Sequence, residues 1–128
     1  MVIDTSAVIA ILQSEDGSDR LIDKLENTKV LRISAASLVE AGVVMQARYG
    51  DAGEVEVDQF TQRLGINIVA VTEDHAEIAR SAYRKFGKGR HPANLNYGDS
   101  FSYALAIYYH EPLLYTGNDF AKTDVQSA

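Results

Sequence analysis

Four short apolar runs, Val2-Ile3, Val30 to Ile33, "INIVAV" (66–71) and "PLLYT" (112–116), are separated by longer segments whose apolar residues recur at helical spacing. Runs of β-branched and apolar residues this short read as strands, and the intervening stretches read as helices. Strands joined through helices cannot be hairpin partners, because such crossovers return the chain to run in the same direction. The pattern therefore predicts an α/β fold with a mainly parallel sheet, in which ligands sit beyond the carboxyl ends of the strands.

The helical segments are "SAVIAILQ", Asp19 to Leu25, Ser37 to Tyr49, Glu54 to Leu64, "EDHAEIARSAYRKFG" and a last one headed by Asp99. The fifth carries acids in its first turn, bases in its last and a glycine stop, as the helix macrodipole favours. Between it and the last, "KGRHPANLNYG" reads as a loop. No repeat or linker divides the 128 residues, so one domain spanning 1–128 is expected. Cysteine is absent, which excludes a thiolate zinc site and a cysteine nucleophile. The start, "MVIDTSAVIAILQ", has no basic leader, and no apolar run approaches the roughly 18 residues of a membrane span. A soluble, cytoplasmic protein with no membrane partner is expected.

Most of the eighteen acids lie in polar surroundings. Asp4, Glu40 and Asp99 do not. Asp4 ends the first strand and is the only acid before Glu15; Glu40 is alone between Glu26 and Asp51; Asp99 is alone between Glu77 and Glu111. Asp119 follows the last strand in "LLYTGNDF". Each has a structural explanation: Asp4 as a helix cap, Glu40 in a capping box with Ser37, Asp99 at the positive end of a helix. The helices of Glu40 and Asp99 are apolar nearly all round, however, which predicts burial, and buried carboxylates are costly unless paired or bound to metal.

Were the four acids to converge at the strand ends, their repulsion would call for a divalent cation. All-oxygen ligation selects a hard ion, Mg²⁺ or Mn²⁺. The three histidines lack zinc-site spacing. A carboxylate-held Mg²⁺ serves phosphodiester hydrolysis. No G-x-S-x-G elbow, P-loop or EF-hand spacing competes with that reading, and no organic cofactor is expected.

The segments "VIDTSAVIAIL", "ISAASLVEAGVV", "HPANLNYGDSFSYALA" and "PLLYTGNDFAKTDV" together resemble the PIN-domain ribonucleases, specifically the VapC-type toxins of toxin–antitoxin pairs, over essentially the full length. The resemblance implies a three-layer α/β/α sandwich, Mg²⁺- or Mn²⁺-dependent RNA cleavage, a cognate VapB-type antitoxin that covers the acidic pocket with an inserted Arg or Lys, and a homodimer. It also makes Asp4, Glu40, Asp99 and Asp119 the catalytic, metal-holding quartet, with Asp4 and Asp99 as direct ligands. Many relatives carry an acid where Asn118 stands, so the fourth role is open between Asp119 and Asn118. Thr5, Ser6 and Thr116 are candidates to orient the carboxylates, with capping and turn formation as the competing explanation.

A net charge of −6 argues against a polyanionic partner, but five of the twelve cations lie within "RSAYRKFGKGR" (80–90), with His91 next. Arg84, Lys85, Lys88, Arg90 and His91 thus become candidates for holding RNA phosphates, Lys88 and Arg90 foremost. Tyr97, Phe101 and Tyr103 are able to stack bases, yet aromatics at helical spacing are expected to pack inward. Two other classes fit the pattern less well. A receiver-like phosphoacceptor module needs adjacent acids after its first strand, where this chain has one; a degenerate PIN fold would bind without cutting, and retention of four acids argues against it.

Overall fold

A computed structural model describes all residues 1–128. The elements run β1 (Val2–Ile3), α1 (Thr5–Leu12), α2 (Ser18–Glu26), β2 (Arg32–Ser34), α3 (Ala35–Tyr49), α4 (Asp51–Arg63), β3 (Asn67–Val69), α5 (Glu73–Phe86), α6 (Tyr97–Tyr109) and β4 (Leu113–Leu114), with a short 3-10 turn at Phe120–Lys122. The four strands form one parallel sheet in the order β3-β2-β1-β4. The chain steps outward from β1 to β3 and then returns to the opposite side of β1. The strand order therefore reverses between β1 and β4, the point at which sheets of this kind leave a ligand crevice beyond the carboxyl ends.

Alternation along the strands sends neighbouring residues to opposite faces. Val2 and Leu113 pair in register and enter the cluster built with Leu95, Tyr103, Leu105 and Phe120. Ile3 and Leu114 pair likewise and enter the other cluster, with Val8, Ile33, Met45 and Val57. Helices thus cover both faces, giving the three-layer α/β/α sandwich. Contacts between α6 and the C-terminal segment tighten the second layer: Tyr103 donates to Asp124 Oδ1 at 2.6 Å, and burial together with that bond pushes its phenol well above its ordinary value. Arg32, on β2, bridges to Glu111 at 3.0 Å and stacks over Tyr109, fixing the far end of α6.

The most β-branched run, "INIVAV", supplies the edge strand β3, where Ile68 is 52% exposed. One expectation about burial changes. On α3 only Ser37, Ala41 and Met45 are buried, while Val39 and Val43 stand 65% and 62% exposed. A helix apolar all round here has one face on the sheet and α4 and another facing outward. No helix is long and apolar enough to cross a membrane.

Leu105 of α6 is fully enclosed in the second cluster. Leu105→Ala should lower the unfolding free energy by about 2–5 kcal/mol in urea denaturation, the range for a buried leucine whose cavity does not collapse. A loss below 1 kcal/mol would mean that this layer repacks.

Candidate functional site

Asp4 follows β1 directly, and its backbone N–H donates to the Leu114 carbonyl at 2.9 Å, extending the β1–β4 ladder to the crevice. Its side chain caps α1. Asp4 Oδ2 accepts from the Ser6 N–H at 2.9 Å and from the Ser6 hydroxyl at 2.6 Å; the residue is only 3% exposed. Ser6 Oγ in turn accepts from the Thr116 N–H at 3.1 Å, so the segment leaving β4 is tied through Ser6 to Asp4. The capping explanation for Asp4 is therefore correct but incomplete, because both donors reach one oxygen and none is recorded on Oδ1.

Glu40 has no capping role. Helix α3 begins at Ala35 and is capped by Ser34, while the Ser37 hydroxyl meets Ser102 Oγ of α6 at 3.0 Å. The Glu40 carboxylate reaches the first turn of α6 instead. A Cβ built on Gly98 would collide with Glu40 Oε2, so the glycine leaves space for this approach. The positive end of α6 is a favourable place for such an anion.

Asp99 closes a reciprocal capping box with Asn96. Its Oδ2 accepts from the Asn96 N–H at 3.0 Å, and Asn96 Oδ1 accepts from the Asp99 N–H at 2.9 Å. Burial raises the Asp99 carboxyl from 3.8 to about 6; the Asn96 bond opposes this, and repulsion from Asp4, Asp119 and Glu40 adds to it. Three acids far from Asp99 in sequence thus act on it. Asp119 sits exposed just before the 3-10 turn, beside exposed Asn118.

Convergence is looser than a formed ligand shell, since no three acids stand close enough to hold one ion in their present rotamers. The donor chemistry nevertheless fits a hard divalent cation. None of the four has a cationic partner, for the ion pairs of the molecule are Met1–Glu111, Arg32–Glu111 and Arg80–Glu77. Asp4, Asp99, Glu40 and Asp119 are the candidates that could hold such an ion after a change of side-chain conformation.

The orienting candidates divide. Ser6 touches a carboxylate, Thr116 acts through its backbone N–H, and the Thr5 hydroxyl donates to the Ser37 carbonyl at 3.0 Å, joining α1 to α3. Among the cations, Arg84 and Lys88 line a groove between α5 and α6, whereas Lys85 is exposed outside it. Arg90 lies over the Tyr83 ring at 5.8 Å. His91 Nδ1 accepts from the Ala93 N–H at 3.0 Å and its ring abuts Phe86, so that nitrogen serves the loop. Tyr103 is buried as expected, but Tyr97 is 80% exposed. Sequence reasoning passed over Gly98 and Asn96; a glycine at the second position of an apolar helix was the available signal of close approach.

The PIN domain family model matches residues 1–126, and the chain belongs to that family. Among its relatives, ribonuclease VapC30 of Mycobacterium tuberculosis is 46% identical over 98% of this chain and 95% of its own length. Ribonuclease VapC of Mycolicibacterium smegmatis is 47% identical over 98% of this chain and 97% of its own length. The fold is shared with M. tuberculosis VapC20, a sarcin-ricin loop cleaving toxin, at a TM-score of 0.79 and 15% identity over 99% of this chain and 97% of that one. A toxin–antitoxin complex from Klebsiella pneumoniae aligns at 0.69 and 20% identity over 96% and 92%.

Two outcomes follow from the geometry. Gly98→Ala should displace the Glu40 carboxylate at little cost to folding, because the clash falls on the tip of a flexible side chain, and should reduce metal-dependent activity about 10–100-fold. Unchanged activity would remove Glu40 from the site. An acid whose folded value is raised binds its proton more tightly folded than unfolded, so the stability contributed by Asp99 is present at low pH and lost as pH climbs from 3.8 to about 6. Divalent ions offset that repulsion. Thermal denaturation should show Mg²⁺ or Mn²⁺ raising the melting temperature more at pH 7.5 than at pH 4, and Asp99→Asn should flatten the difference.

Proposed function

We infer that this protein is a divalent-metal-dependent endoribonuclease, acting in the cytoplasm as the toxin of a toxin–antitoxin pair. The observation that carries the reading is the placement of Asp4, Glu40 and Asp119 around half-buried Asp99 at the strand-order reversal, none of the four with a cationic partner. Identity of 46–47% to VapC ribonucleases over nearly the whole chain supports it. Metal dependence is general among PIN domains. Mg²⁺ is the proposed ion, with Mn²⁺ as a substitute, since the donors are carboxylate oxygens.

When bound, the ion supplies charge neutralisation at the scissile phosphate and activation of the attacking water. The chain's own contribution is to place the donors. Ser6 holds Asp4 Oδ2, Asn96 holds Asp99, and Gly98 leaves room for Glu40 beside the same helix turn. Asp119 is the nearer candidate for the fourth position because it acts on Asp99, whereas Asn118 is uncharged. Arg84, Lys88 and Arg90 position the RNA backbone, and Lys85 adds to the field from outside the groove.

An antitoxin partner is supported by the toxin–antitoxin complexes among the structural neighbours. A basic side chain of that antitoxin entering the crevice would neutralise the acids as a metal does. The outward α3 face bearing Val39 and Val43 is available for a homodimer contact. One domain over residues 1–128 accommodates all of this, and family membership leaves the receiver-like alternative without support.

Purified protein should cleave RNA in Mg²⁺ or Mn²⁺, and Asp4→Asn or Asp99→Asn should reduce cleavage by at least about 100-fold. Asparagine retains a cap acceptor at Asp4, so the fold should survive. Cleavage at parental rates by both variants would sink the metal assignment; absence of cleavage by the parent with either ion would favour the degenerate alternative.

A further inference from the structure

We propose that the groove between α5 and α6 is a subsite for one unpaired RNA nucleotide beside the scissile phosphate, with its base stacked on Tyr97 and its phosphate held by Arg84 and Lys88. The proposal deepens the nuclease reading and rests on it for the substrate class. The groove encloses about 840 Å³, within the range of sites that hold a small organic ligand. Its lining combines three features. Ala76 and Ala79 give an apolar floor, Tyr83, Tyr97 and Phe101 give aromatic walls, and Arg84 and Lys88 bring cations to a chain of net charge −6.

Tyr97 is the defining residue. It is 80% exposed, which forgoes the burial an aromatic ring ordinarily gains. Its ring is not left to swing freely, because Phe101, one turn on, meets it edge-on at 4.9 Å and 85°. That packing leaves a ring face open for stacking. A base stacks on such a face whatever its identity, since every base has a π-surface.

The groove is also joined to the acids. Asn96, which lines it, shares the capping box that holds Asp99, and Tyr97 lies two residues before Asp99 on the same helix start. Groove and acids therefore meet at the N-terminus of α6, through Asn96. The cations are disposed to fit: Arg84 and Lys88 have no acidic partner, while Arg80, on the same wall, is already paired with Glu77 at 2.9 Å. An apolar protein helix would match the floor but leave two cations facing it. An unpaired nucleotide satisfies both the aromatic face and the charge.

The test is fluorescence anisotropy of a labelled pool of single-stranded RNA hexamers with the full chain in EDTA, paired with end-sequencing of RNA cut in Mg²⁺. Tyr97→Ala should weaken hexamer binding about tenfold or more, and Tyr97→Phe should restore it. Lys88→Gln should weaken binding and reduce the salt dependence by about one ion. In the cleavage arm, Tyr97→Ala should slow cutting at unpaired sites about tenfold without changing which nucleotides flank the cut, while Tyr97→Phe keeps the parental rate. Hexamer binding by Tyr97→Ala within twofold of the parent overturns the proposal, even if the parent cuts RNA. Loss of self-association or of antitoxin binding, with RNA binding unchanged, also overturns it and assigns the groove to a protein. If the parent binds hexamers through Tyr97 yet cuts nothing with either metal, the subsite stands and the nuclease reading falls.

Discussion

Negative charge concentrated where the sheet reverses its strand order is the constraint around which this molecule is arranged. Carboxylates brought together in a half-buried crevice repel one another, and in most proteins a lysine or arginine would be folded in to relieve them. Here the cations go elsewhere. Arg32 serves Glu111 at the far end of α6, Arg80 serves Glu77 on the surface, and Arg84 and Lys88 line the neighbouring groove. The fold tolerates the unrelieved charge by giving single carboxylate oxygens local donors, Ser6 to Asp4 and the Asn96 amide to Asp99. Those bonds stabilise each acid individually without neutralising the set.

Helix termini do much of this positioning. Asp4 starts α1 and Asp99 starts α6, so each backbone is held by a cap while the charge stays at the crevice. A capping role for these residues is thus compatible with the functional role proposed for them. Glu40 is different, since it sits inside α3 and depends on a side-chain-free position on the opposing helix.

The parallel α/β arrangement was legible because four short apolar runs alternate with helical segments; Asp4, Glu40 and Asp99 drew notice because each is an isolated acid in an apolar context, and Asp119 because it follows the last strand. Burial was less so. The exposed valines of α3 and the edge position of β3 depend on which elements pack alongside, and local composition carries no record of that. Tyr97 and Tyr103 illustrate the same limit at one helix: six residues apart, they lie on faces that differ from open solvent to complete enclosure. The Gly98 contact was hidden for a related reason, being a relation between two helices distant in sequence.

The Thr116–Ser6–Asp4 chain of hydrogen bonds has a mechanical meaning beyond support. It couples the turn that carries Asn118 and Asp119 to the carboxylate at the head of α1, so a body pressing on that turn would re-aim a buried oxygen on the adjoining strand. The segments bearing Asp4 and Asp119, more than a hundred residues apart in the chain, are thereby tied together by side-chain bonds as well as by the sheet.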